Sequence, residues 1–89
     1  MNIWIDTQTG EAVLISEMTD EYLVRVVNFL RKKKEEIIKS YEDLLKVDLS
    51  YTARAEVKTE LFFLRSSDIE NVATQGRALL EEAEKRNLL

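Results

Sequence analysis

"LVRVVNFLRKKKEEIIKSYEDLL", residues 23–45, decides how this chain is built. Leu23, Val27, Leu30, Lys34, Ile37, Tyr41 and Leu44 alternate four and three apart, and all but Lys34 are apolar. That spacing returns to one face of an α-helix at every step. Val26, Ile38 and Leu45 broaden the face beyond a narrow seam. Thr19 stands ahead of it as an N-cap, and Asp20 and Glu21 put negative charge at the positive end of the helix dipole. Met18 and Leu23 have the spacing of a hydrophobic staple across that start. No proline or glycine interrupts the run, so the sequence predicts a helix over 19–47, ending at Asp48, Leu49 and Ser50. Such a helix is a rod of roughly 42 Å, whereas a compact 89-residue domain has a radius of gyration near ~12 Å. A rod that long suggests self-association through helices, most simply a dimer.

Working toward the N-terminus, "NIWI" and "AVLI" are short β-prone runs around the polar "DTQTGE", in which Gly10 supplies a positive φ. Residues 1–16 therefore read as a β-hairpin, with Ile3 and Ile5 on one face and Trp4 on the other. A lone hairpin is marginal in water, so one of these faces must pack on helix. Toward the C-terminus, 50–87 reads as one helix or two. Ser67-Asp68-Ile69-Glu70 matches a capping box and argues for a break near 66–67. Against it, Phe62, Ser66, Ile69, Ala73, Gly76, Leu80 and Ala83 keep the four–three alternation through the gap. Asn87 is suited to a left-handed C-terminal cap, with Leu88 at the contact position after it. The expected architecture is α+β, mainly α, in a single domain over 1–89: the hairpin packed on a long antiparallel helical hairpin.

Composition narrows the chemistry. The chain has 89 residues, a formal net charge of −4, no cysteine and no histidine. Disulfides are excluded, and the commonest zinc ligands and the usual acid–base side chain near neutral pH are missing. No metal, no cofactor and no enzyme activity are expected. No apolar run approaches the ~20 residues of a membrane span, so the expected location is the cytoplasm. An acidic balance disfavours binding to nucleic acid by bulk charge.

The four cations Arg31, Lys32, Lys33 and Lys34 look like an anion site, but successive helical residues turn by ~100°, so they sweep about 300° around the axis. Arg31 with Glu35 and Lys32 with Glu36 have ion-pair spacing, as do Glu81 with Lys85 and Glu82 with Arg86. Lys34 is the exception, a cation where the stripe calls for leucine. Its stem can lie on apolar surface with the ammonium in water, or it can set register where helices meet. Trp4, Tyr51 and Phe63 are candidate partner anchors, since aromatics often dominate interfaces. With Lys34 and Tyr41 from the stripe they make up the candidate interface.

The stretch "WIDTQTGEAVLISEMTDEYLVRVVNFLRKK" and the ending "ALLEEAEKRNLL" resemble small uncharacterised accessory proteins of bacteriophages and prophages. These open with Trp, a Thr/Gly turn and I-x-x-M before a long helix, and close on LL-x-E-A-x-x-R-G-L. Tyr22 stands where that pattern favours histidine, and Asn87 where it favours glycine. The resemblance implies a phage accessory role in the host cytoplasm and carries no reaction or site residue. Three readings follow: a non-enzymatic protein that binds a host protein such as a defence component; an oligomer that sequesters a small anionic or nucleotide signal; and a weak nucleic-acid binder through residues 31–33.

Overall fold

The computed structural model describes residues 2–89. Strands β1 (Ile3–Ile5) and β2 (Ala12–Leu14) form an antiparallel pair with Trp4 opposite Val13. A single 3-10 turn, Ile15–Glu17, leads to α1 (Asp20–Leu44), followed by α2 (Tyr51–Ser66) and α3 (Gly76–Lys85). A mainly helical chain with an N-terminal hairpin is what the sequence leads one to expect.

The start of α1 follows its signals. Thr19 Oγ1 accepts from the Tyr22 N–H at 3.1 Å, and Met18 and Leu23 are both buried. Its end comes earlier than expected, at Leu44 rather than Val47. The Lys46 and Val47 N–H groups turn back to Asp43 O and Leu44 O, tightening the last turn. Arg54 explains why the chain can stop there: its guanidinium donates to Leu45 O at 3.0 Å and Val47 O at 3.3 Å, serving carbonyls the helix no longer uses. Ser50 then caps α2 through the Ala53 N–H.

The second arm is broken where the capping box stands, but the box itself does not form. Ser67 Oγ donates backward to Phe63 O at 2.8 Å, closing the end of α2 instead of opening a helix. Asp68 is drawn away to Arg31, and α3 begins only at Gly76. The unbroken four–three alternation is thus a coincidence of spacing, with Phe62 and Ser66 exposed while Ile69 and Gly76 are buried.

α1 is the spine. α3 packs against it and against the 3-10 turn, while α2 packs against α1. One core gathers Leu23, Val27 and Leu30 of α1, Leu79 and Ala83 of α3, and Ile15, Met18 and Ile69. Trp4 and Val13 cover it from the hairpin, leaving Ile3 and Ile5 on the outer side. Along the other half of α1, α2 buries Val57, Leu61 and Leu64. The molecule measures 47 × 27 × 21 Å with a radius of gyration of 15.5 Å, so the rod does exceed a sphere. Helices α2 and α3, taken in series, cover most of the α1 stripe within one chain, leaving Leu44 at its distal end 41% exposed.

Candidate functional site

Four residues of α1, Tyr22, Arg25, Val26 and Phe29, fall at i, i+3, i+4 and i+7 and so share one face. This face lies beside the core stripe and under the hairpin. Together with Trp4 and the loop residues Asp6, Thr7 and Gln8 it encloses an open cleft of about 150 Å³.

The loop over the cleft is held by its own first residue. Asp6 Oδ1 accepts the backbone N–H groups of Gln8 at 2.8 Å and Thr9 at 3.3 Å, an Asx turn. The Asp6 N–H donates to Glu11 O, and the Gly10 N–H donates to Asp6 O. Gly10 sits at φ +74°, which an L side chain rarely adopts. The other carboxylate oxygen, Asp6 Oδ2, accepts the Tyr22 hydroxyl at 3.0 Å and fastens the loop to α1. The Gln8 N–H and then the Tyr22 hydroxyl hold the Asp6 carboxyl below the usual carboxylate value. Burial, and after it the hydrogen bond to Asp6 and the charge of that residue, push the Tyr22 phenol up. Tyrosine at position 22 is therefore a working part of the loop.

Within this frame Trp4 is half-buried, Phe29 is 49% exposed, and Arg25 is exposed with no ion pair among the described residues. The cleft thus offers apolar aromatic surface beside a cation whose charge is not spent inside the molecule. Such a surface suits a partner side chain or terminus that is both apolar and anionic. The i, i+3, i+4, i+7 spacing of Tyr22, Arg25, Val26 and Phe29 was legible as a second helix face, but only the hairpin turns it into a cleft.

The other expected site residues go elsewhere. Arg31 bypasses Glu35 and makes a two-pronged contact with Asp68, Nε to Oδ1 at 3.0 Å and Nη2 to Oδ2 at 2.7 Å. The guanidinium holds the Asp68 carboxyl below its usual range. A planar fork onto a carboxylate across two elements fixes geometry in a way that a same-helix pair cannot. Lys32 makes no ion pair with Glu36 and is exposed, like Lys33. Lys34 reaches across to the end of α2, where its Nζ donates to Ser67 O at 2.5 Å. The lysine in the stripe is a tie between helices of one chain. Tyr41 is half-buried on α1, whereas Tyr51 and Phe63 are 90% and 51% exposed on α2. The candidate interface residues thus do not converge: Trp4 belongs to the cleft, Lys34 to the α1–α2 joint, and Tyr51 and Phe63 to the outside of α2.

Near the C-terminus, Glu82 pairs with Arg86 at 2.9 Å as the spacing suggested, but Glu81 takes Arg77 at 3.6 Å instead of Lys85. Arg86 does far more than pair. Its guanidinium also donates to Met18 O at 2.6 Å, Ser16 O at 3.1 Å and Asp20 Oδ1 at 3.1 Å. It locks the end of α3 to the 3-10 turn and the start of α1. Nothing in the local sequence marks this role beyond a cation in a last turn. Asn87 adopts φ 59°, with Leu88 N–H donating to Ala83 O and Asn87 N–H to Glu84 O. This is the Schellman cap expected there.

Among the described residues, no three acidic side chains are grouped to hold a metal ion, and no helix is long and apolar enough to cross a membrane. Comparison of the chain with protein-family models, curated proteins and solved structures finds no match.

Proposed function

We propose that this chain is a binding module that engages a protein partner through the cleft between the hairpin and α1. The observation that carries the reading is the unpaired Arg25 beside Trp4, Tyr22 and Phe29, under a loop already ordered by Asp6. A preordered aromatic surface with one free cation binds with little ordering cost, because the groups that would otherwise lose freedom are held beforehand. The partner segment that fits carries an apolar side chain and a carboxylate. The resemblance to phage accessory proteins supports a host protein as the partner, met in the bacterial cytoplasm, with a defence component as the natural candidate. The activity is non-enzymatic in this reading.

The test is affinity capture from bacterial host lysate, comparing the native chain with Arg25→Glu and Phe29→Ala. Both positions are exposed, so the fold is expected to survive, as circular dichroism would verify. A partner held by the native chain and lost by both variants supports the reading. Identical recovery by all three proteins refutes it.

Sequestration of a small anionic signal is a second reading, favoured by the same free Arg25. Calorimetry with anionic nucleotides separates it, since it alone requires stoichiometric heat without any protein partner. Nucleic-acid binding through residues 31–33 draws less support, because Arg31 is already committed to Asp68.

A further inference from the structure

We propose that the solvent face of α2 is where two copies of this chain meet, side by side and parallel, as a weak homodimer. This surface is separate from the cleft.

α2 is buried along Val57, Leu61 and Leu64. Thr52, Ala55, Thr59, Phe62 and Ser66 run three and four apart along its opposite side, and all are exposed. An exposed helix face in a chain with 34% charged residues is ordinarily charged, yet this one has no charge over its whole length. Phe62, 66% exposed, stands on it and packs edge-on against Phe63 with ring centres 5.8 Å apart.

The two edges of that face differ in sign. At ~100° per residue, Tyr51, Lys58 and Arg65 fall on one edge, and Glu56, Glu60 and Phe63 on the other. The sign difference selects the partner and its direction. A two-fold axis along the helix lays the basic edge of each copy on the acidic edge of its mate, at both margins of the contact. An antiparallel pairing would instead lay each edge on its own kind, with Lys58 at mid-helix against its own counterpart. In the parallel register, edge residues five apart meet across the seam. Tyr51 then reaches the second copy's Glu56 as a hydroxyl donor, and Lys58 reaches the second copy's Phe63 as a cation on an aromatic face. A groove between α1 and α2, lined by Leu45, Lys58, Leu61 and Phe62, opens on that edge and can receive this phenyl ring. Arg65 stays on Glu42 of its own chain, which orders that edge.

A 16-residue helix gives a seam of about 24 Å, short enough to fall in the small, weak class of interfaces. Dimerisation is therefore expected in the range of roughly 10–500 μM.

Sedimentation equilibrium from about 5 μM to about 1 mM tests it, with a reversible monomer–dimer equilibrium expected. Phe62→Glu, on an exposed site, should leave the helical signal intact and hold the chain monomeric. Thr59→Ile should tighten the dimer by roughly tenfold or more, by adding buried apolar surface at the seam. The chain lacks cysteine, so Ser66→Cys reports direction. In the parallel pair the two thiols are adjacent and oxidise to a disulfide-linked dimer, whereas an antiparallel pair holds them about 20 Å apart. A monomer at every concentration overturns the proposal, as does a dimer indifferent to Phe62→Glu. A dimer in which Ser66→Cys fails to cross-link overturns the parallel arrangement.

Discussion

Gly76→Ala sets two well-known effects against each other. A methyl group added at residue 76 would lie 2.2 Å from Ile69 O, 2.7 Å from the Ile69 carbonyl carbon and 3.1 Å from Glu70 Cα. All three are backbone atoms, so no side chain can swing aside. Relief to a tight contact of ~3.2 Å needs a retreat of about 1 Å by the 69–70 backbone or by α3. Ile69 has no exposed surface and sits in the core with Leu79 and Ala83, so the retreat also loosens its packing. Overpacking of this kind costs about 1–3 kcal/mol, and partial loss of the Ile69 contacts adds to it. In the opposite direction, alanine exceeds glycine in helix propensity by up to ~1 kcal/mol, and by less at the first helical residue. The net expectation is a loss of about 2–3 kcal/mol. Against a total of about 4–13 kcal/mol for a chain of this length, that loss is large. The melting temperature should fall by roughly 10–20 °C, read by circular dichroism at 222 nm and checked by urea titration. Gly10→Ala is the contrast: nothing lies within 4 Å of its added methyl group, so it should lose only the ~1–2 kcal/mol of a left-handed backbone conformation. If Gly76→Ala melts at or above the native temperature, propensity outweighs contact and the reasoning fails.

Lys34→Met keeps the apolar stem but leaves Ser67 O without its donor, and should cost ~1 kcal/mol in urea titration; Lys34→Ala also loses the stem and should cost more. Asn87→Ala is expected to lose ~1 kcal/mol at its φ of 59°, whereas Asn87→Gly should be neutral or mildly stabilising in the same assay. The folded-state pKa values of Asp6 and Asp68 lie below the ordinary 3.8, so their contribution is complete above that value and is lost as the pH falls through the folded values. The urea midpoint should accordingly drop below about pH 4, and Asp68→Asn should flatten that slope while lowering the neutral-pH midpoint. An Asp68→Asn protein with an unchanged acid profile would show that the Arg31 fork contributes nothing to it.

The parts of this molecule written in neighbouring residues were readable in advance. The Thr19 cap, the Met18–Leu23 staple, the Gly10 turn and the Asn87 cap each depend on a few adjacent positions, and each forms. Errors arise where a local signal met a competitor outside its own motif. Ser67 and Asp68 spell a helix start, but Phe63 O takes the hydroxyl and Arg31 takes the carboxylate, from 4 and 37 residues away. Arg31 has Glu35 one turn on, yet a rigid two-pronged contact across elements prevails over a solvated pair on one helix. The excess length of the rod over a sphere is legible from its stripe, whereas the two helices laid end to end along most of it are not. The cleft was least legible, because Arg25 and Phe29 gain their meaning from a hairpin that begins more than twenty residues earlier.

The Arg86 guanidinium also orders events in time. It donates to Ser16 O and Met18 O, 70 and 68 residues upstream, so during synthesis those carbonyls wait in water until almost the whole stretch described here has been made. The joint between α1 and α2 is served earlier, by Arg54 nine residues from Leu45 and Arg65 twenty-three from Glu42. A nascent chain can therefore zip its distal limb while its hairpin end still lacks its fastening. Ribosome-bound chains cut short before residue 86 should protect α1–α2 amides from exchange and leave those near Ile15 open. In this sequence of closure the cleft, fastened by Asp6 and Tyr22 only sixteen residues apart, can set early, and the lock of α3 on the 3-10 turn is the last to close.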